Sequence, residues 1–166
     1  MNENMIFGPE GFRLTKISES LKLAAYPDPG TGGAPWTIGY GHTGGINPGD
    51  VCTEAQADAW LKHDIQSAEE TIRKWVTVQL NQGQYDALAD FIFNIGPGIK
   101  GVRDGFVWLA SGNHSTFLRK LNAGDFAGAA NEIPRWNLPP LPGLIIRRRR
   151  ERELFLTGTW TILPGE

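Results

Sequence analysis

Two carboxylates with eight residues between them, Glu19 and Asp28, precede a run that carries a threonine among glycines and aromatics, Trp36-Thr37-Ile38-Gly39-Tyr40-Gly41-His42. Paired carboxyls suit glycoside hydrolysis: one protonates the leaving oxygen, and the other activates water or attacks the sugar. Glu19 falls late in a helical pattern, and Asp28 lies beyond it at the mouth of the glycine-rich stretch. A helix end and an adjoining sheet loop can face each other across a cleft, with the Thr37 hydroxyl helping to hold a water. The same residues also suit a solvated helix face and a Pro-Asp-Pro turn. With 18 Asp and Glu in the chain, spacing alone does not choose between these readings.

The elements that would position these residues follow from periodicity. Phe12, Leu14, Ile17, Leu21, Leu23 and Ala24 predict a helix over 12–26, ended by Pro27 and Pro29. Gly30 to Gly49, with its alternating Trp36–Gly41 run, predicts short strands and tight turns, a small β lobe over about 27–52. Thr53 with Gln56 is a capping box that opens a helix to about Lys74. Asn81 caps another over 83–95, which Gly96-Pro97-Gly98 stops. Shorter helices are expected over 102–110, 115–121, 126–132 and 143–156, the last preceded by a proline-rich link, 134–142. The reading is a single α+β domain over 1–166, mostly helical, with about 12–26 and 53–160 forming the helical part.

Composition narrows the classes. At 166 residues, 40% hydrophobic and 20% charged, the chain can bury a core and is not disordered. A formal charge of −2 gives no overall pull toward nucleic acid or anionic membranes, although Arg147, Arg148, Arg149, Arg150 and Arg152 crowd one stretch. Cys52 is the only cysteine, which excludes an internal disulfide; it reads as a small buried residue. No Cys/His metal spacing is present, so neither metal nor cofactor is expected. Six tryptophans suit either core packing or a saccharide surface. Residues 1–16 hold no apolar run suited to a signal peptide or anchor, so synthesis and retention in the cytoplasm are expected, without stable membrane insertion. Monomer is the default expectation.

The run from Glu19 to Asp28, followed by Trp36-Thr37-Ile38-Gly39-Tyr40-Gly41-His42, closely resembles the phage lysozyme family, glycoside hydrolase family 24. That family's pattern is Glu, eight residues, Asp or Cys, five residues, Thr, then Ile-Gly-x-Gly-His. The first interval fits. Between Asp28 and Thr37 there are eight residues, three more than the pattern, in Pro29–Pro35, a turn-rich stretch that tolerates insertion. Thr31 competes for the threonine role, but the Ile38–His42 run fixes the register on Thr37. The resemblance continues through Gln84–Gly96, Leu118–Ala130, Arg135-Trp136, Pro142-Gly143-Leu144 and Thr157–Trp160.

The resemblance implies a lysozyme-like two-lobed fold and an endolysin muramidase that hydrolyses the β-1,4 bond between N-acetylmuramic acid and N-acetylglucosamine of peptidoglycan. Glu19 matches the general acid, a role that requires a carboxyl still protonated near neutral pH. Asp28 matches the carboxylate that positions or activates water, with inversion, and inverting enzymes space their carboxyls by about 6.5–9.5 Å. Thr37 would hold the same water. His42 is expected to be a structural histidine, while His63 and His114 match nothing and are expected at the surface. Asn94 resembles a substrate-contacting amide, with a helix cap as the equal alternative. Arg147 is the first candidate for the arginine that reaches the catalytic Glu, and Arg150 the second. The other arginines are expected to form a solvated face, partly offset by Glu151 and Glu153. Without an anchor, a separate holin is the expected partner for release to the cell wall.

Three other readings remain at this point. A lytic transglycosylase would cleave the same bond with one acid, leaving an anhydro-sugar. A non-catalytic murein-binding module would bind the same strands, but would need a degraded acid site. Membrane disruption by the basic C-terminal helix would survive loss of Glu19.

Overall fold

The computed structural model describes residues 1–29 and 31–166. In chain order the elements are α1 (Pro9–Glu19), β1 (Lys22–Pro27), β2 (Trp36–Gly39), α2 (Glu54–Asp64), α3 (Gln66–Trp75), α4 (Gln82–Ile95), α5 (Thr116–Asn122), α6 (Phe126–Ala130), a 3-10 turn (Ile133–Arg135) and α7 (Pro142–Thr157). This is the α+β, mostly helical architecture expected of a lysozyme-like fold. The chain divides into two compact units, Thr15–Gln66, and Met1–Leu14 with Ser67–Glu166. No helix among the described residues is long and apolar enough to cross a membrane.

In the Thr15–Gln66 unit, β1 and β2 pair antiparallel, with Tyr26 opposite Thr37 and Lys22 opposite Gly39. The register slips between Lys22 and Tyr26. There the middle of β1 turns to residues 50–52 instead: Ala25 N–H donates to the Asp50 carbonyl at 2.9 Å, and Cys52 N–H to the Leu23 carbonyl at 2.9 Å. A bulge of this kind lets one strand serve two partners. α2 covers β2 from behind. Gly39, at φ +65, leaves just enough room for it, since a Cβ there would stand 3.1 Å from the Ala57 Cβ. Cys52 is buried, as read from the sequence.

In the larger unit α4 is the central helix. Nine of its residues, from Gly83 to Ile92, are buried, and it packs against α7. Phe91, Phe106, Phe117 and Phe155 meet edge to face, with Phe91–Phe117 centroids at 5.1 Å and Phe106–Phe117 at 5.3 Å. Asp86 of α4 accepts from Gly8 N–H at 2.8 Å and Gly11 N–H at 3.3 Å, satisfying donors that the first turn of α1 cannot pair internally.

Several boundaries differ from the sequence reading. The first helix runs over Pro9–Glu19 rather than 12–26. Ser20, at φ +60, takes the left-handed conformation that ends it, and Lys22–Pro27 then pairs as a strand. The helix expected over 53–74 is two, α2 and α3, parted at Ile65, which itself stays in the right-handed helical region. The capping boxes at Thr53/Gln56 and Asn81/Gln84 are both formed. Residues 102–110 are turns rather than a helix. Gly98 and Gly101 have positive φ, and a Cβ on Gly105 would fall 2.0 Å from the Gly98 nitrogen, so the backbones touch where a helix would need space. The helix expected over 126–132 ends at Ala130, because Pro134 restrains the residue before it and a 3-10 turn follows.

Candidate active site

Glu19 is the last residue of α1, half-buried, directly before the left-handed Ser20. Its helix turn is fixed by Lys16, whose Nζ lies 2.6 Å from Asp58 of α2 and 5.5 Å from the Tyr40 ring centroid. The hydrogen bond to Asp58 holds the Lys16 ammonium above its ordinary proton affinity, and burial pushes the Tyr40 phenol up as well. Gly41, at φ +99, presents bare backbone to the acid: a Cβ there would sit 3.9 Å from Glu19 Oε2. The Gly-x-Gly run therefore brings main chain close to the carboxylate without a side chain between them.

Asp28 and Thr37 arrive on the hairpin. Thr37 stands opposite Tyr26, two positions short of Asp28. Asp28 directly follows β1, whose last residue, Pro27, pairs with Trp36, so Asp28 and Thr37 lie toward the same end of the hairpin. The longer Asp28–Thr37 connection folds back on the aspartate. Thr31 N–H donates to Asp28 Oδ1 at 2.9 Å, Asp28 N–H to the Gly33 carbonyl at 3.0 Å, and Gly32 N–H to the Asp28 carbonyl at 2.8 Å. Asp28 thus accepts through its side chain from the backbone three residues on, inside the turn that follows β1. Thr31 is used in that turn, its hydroxyl donating to the Ala34 carbonyl at 3.2 Å. Thr37 itself lies on β2.

His42 is held by its surroundings. Its Nδ1 lies 2.7 Å from Asp64 Oδ2, its Nε2 lies 3.1 Å from the Gly44 carbonyl, and its ring stacks on Trp60 at 4.9 Å with planes 7° apart. Both ring nitrogens are occupied by protein acceptors, an arrangement suited to bracing the loop after β2. His63 is exposed. His114 departs from the surface placement expected of it: it is half-buried, stacked on Trp108 at 4.0 Å and 5.4 Å from Trp75, in a pocket of aromatic rings that no sequence period marks.

In the larger unit, Asn94 lies near the end of α4, but Gly96, at φ +77, is the capping residue there. The Asn94 Oδ1 accepts a hydrogen bond from Arg148. Arg147 is 4% exposed and grips Asp90 with two nitrogens, Nε to Oδ2 at 3.0 Å and an Nη to Oδ1 at 2.9 Å, with Glu151 3.4 Å from its Nε. Arg150 pairs with Glu166 at 3.1 Å. Of the arginines expected to form a solvated face, Arg148 is buried, whereas Arg149 and Arg152 are half-buried, and Glu151, expected to offset that face, is buried with Arg147 and Arg150. Burial drives the Glu151 carboxyl up to about 8, against the pull of Arg148 and Arg147 and with Asp90 adding to the rise. The sequence carried a signal for this, since Glu151 stands three and four residues after Arg148 and Arg147, on their helix face.

The phage lysozyme family model matches residues 16–151. The endolysin of Acyrthosiphon pisum secondary endosymbiont phage 1 is 39% identical over 158 residues, covering 91% of this chain and 98% of its own. The endolysin of Salmonella phage P22 is 38% identical over 160 residues, covering 92% and 99%. A Bacillus phage B103 endolysin is 38% identical, but the chain spans only 53% of its length. Among solved structures, the muramidase domain of SpmX from Asticaccaulis excentricus superposes with a TM-score of 0.75 at 31% identity over 93% of this chain and 99% of that one. A P22 lysozyme variant gives a TM-score of 0.75 at 36% identity, covering 92% and 99%. With the acid, the hairpin and the Gly-x-Gly-His run all inside the matched span, the chain belongs to the phage lysozyme family.

Proposed function

We propose that Glu19, Asp28 and Thr37 carry out the glycosidase activity that comes with membership of this family, lysozyme action on bacterial peptidoglycan as a phage endolysin. Glu19 protonates the oxygen leaving between N-acetylmuramic acid and N-acetylglucosamine. Asp28, with Thr37, holds a water and takes its proton as that water attacks the anomeric carbon from the opposite side, inverting it. The observation that carries this reading is the setting of Glu19: it ends α1, its last turn is fixed by Lys16–Asp58, and Gly41 offers it bare backbone. His42 braces the hairpin loop, and Asn94 and Arg147 support substrate binding from α4 and α7. Transglycosylase and binding-module readings are not favoured, since the relatives are endolysins and a muramidase. The enzyme acts as a monomer on glycan strands in the periplasm after a separate holin releases it from the host cytoplasm.

The test is turbidity loss of purified peptidoglycan by the wild type beside E19Q, with products assayed for reducing ends. Wild-type clearing with new reducing ends, and none from folded E19Q, is expected. Equal clearing by both proteins would overturn the acid assignment, and anhydro-sugar products would make the chain a transglycosylase. D28N is expected to lose most of the activity as well.

A further inference from the structure

Arg148 heads the fully buried side chains of the protein by volume, at 1% exposure, and no step of the chemistry above uses it. Its guanidinium is spent on three partners. Nε donates to the Trp136 carbonyl at 2.9 Å, one terminal nitrogen donates to Glu151, and the other to Asn94 Oδ1. The Phe91 ring lies 4.7 Å from its central carbon. Asn94, Trp136 and Arg148 line one open cavity of about 510 Å³ together with Leu109, Leu144 and Arg135.

A guanidinium only donates. Its bond to Asn94 therefore requires the amide oxygen to face the arginine, and that leaves the amide NH2 as the group Asn94 can offer elsewhere. The same planar fork grips the carbonyl of Trp136, so one side chain fixes a donor and an aromatic wall of the same cavity. We infer that Arg148 is a positioning residue for substrate binding: by locking the Asn94 carboxamide it makes the cavity present a hydrogen-bond donor to a substrate carbonyl or carboxylate oxygen. Such an oxygen occurs in the acetamido group of the sugars and in the peptide stems of murein. The inference rests on the muramidase reading and on Asn94 as a substrate contact. Glu151 keeps Arg148 in the core, and lysine at 148 could satisfy only one or two of the three acceptors.

The experiment compares wild type, N94D, N94A, R148K and R148K/N94A on purified peptidoglycan and on glycan chains stripped of peptide, with kcat and KM measured separately and thermal stability recorded. N94D retains an acceptor for Arg148 but replaces the outward donor with an oxygen. We expect it to fold as the wild type does and to raise KM by about 3- to 10-fold with kcat little changed, the loss of one hydrogen bond. R148K should raise KM by a similar factor, and R148K/N94A should be no worse than N94A alone, because both act through one group. If R148K does not fold, N94D, which keeps the arginine in place, decides. A KM rise confined to peptide-bearing substrate assigns the acceptor to the stem, and a rise on both substrates assigns it to the acetamido group; both support the inference. Wild-type KM in N94D, or losses that multiply in R148K/N94A, would overturn it while leaving the muramidase reading intact. Absence of reducing ends from the wild type would overturn the muramidase reading itself and the inference with it.

Discussion

Glu151 gives the sharpest stability prediction, because a buried carboxyl between two arginines could be either ionised or neutral. It is 0% exposed, and burial lifts its proton affinity from 4.5 to about 8, outweighing Arg148 and Arg147. The folded protein then keeps a proton that the unfolded chain has lost throughout the window from about pH 4.5 to about pH 8. In that window raising the pH favours unfolding. Each tenfold in proton affinity is worth 1.36 kcal/mol, so the stability withdrawn across the window is at most about 5 kcal/mol. Gln at 151 has the shape of the neutral acid, still offers an oxygen to Arg148, and cannot ionise. E151Q should therefore match the wild type in urea unfolding near pH 5 and exceed it by several kcal/mol at pH 8.5, with the wild type sloping downward between. The reasoning fails if E151Q is less stable by about 3–5 kcal/mol at both pH values, the signature of a buried ion pair robbed of one partner.

Other perturbations separate bracing from chemistry. D64N should weaken the hold on His42 and cost about 1–3 kcal/mol in denaturant unfolding, since the pair is largely shielded, with side-chain exposures of 13% and 25%. Reducing-end release by the folded fraction should persist in D64N, and its disappearance would mean His42 takes part in the reaction. K16M removes an ion pair whose partners are 32% and 42% exposed, so its cost should stay below about 1 kcal/mol and shrink in high salt. Because the bond to Asp58 raises the Lys16 proton affinity, that contribution is present below about pH 10.5 and is lost as pH rises past the folded value, so wild type and K16M should converge in strongly alkaline buffer.

What the sequence made legible was set by local chemistry. The capping boxes at Thr53 and Asn81 each complete their signal within four residues, and both helices begin where it says. The alternating Trp36–Gly41 run is equally local, and Trp36–Gly39 forms β2 with Thr37 opposite Tyr26. The end of the first helix is not legible because Leu21, Leu23 and Ala24 fit a helical face almost as well as a strand, and the feature that decides, Ser20 at φ +60, belongs to a residue type with no strong preference for that conformation. The turns over 102–110 have a tertiary cause: Gly105 is needed because Gly98 lies against it, a contact that no local period encodes.

The arginine helix shows why the supporting residues of a site are harder to read than its reacting groups. Five arginines in six positions look like a solvated face when only charge is counted. Three of them, Arg147, Arg148 and Arg150, are buried, and the acids that pair with this helix come partly from elsewhere in the chain, Asp90 for Arg147 and Glu166 for Arg149 and Arg150, at separations of 57, 17 and 16 residues. Only Glu151 and Glu153 lie near enough in sequence to signal the pairing. A reacting residue keeps its motif because the chemistry fixes its neighbours. A supporting one such as Arg148 needs only to find acceptors in the folded core, and Asn94 and Trp136 supply them from other elements.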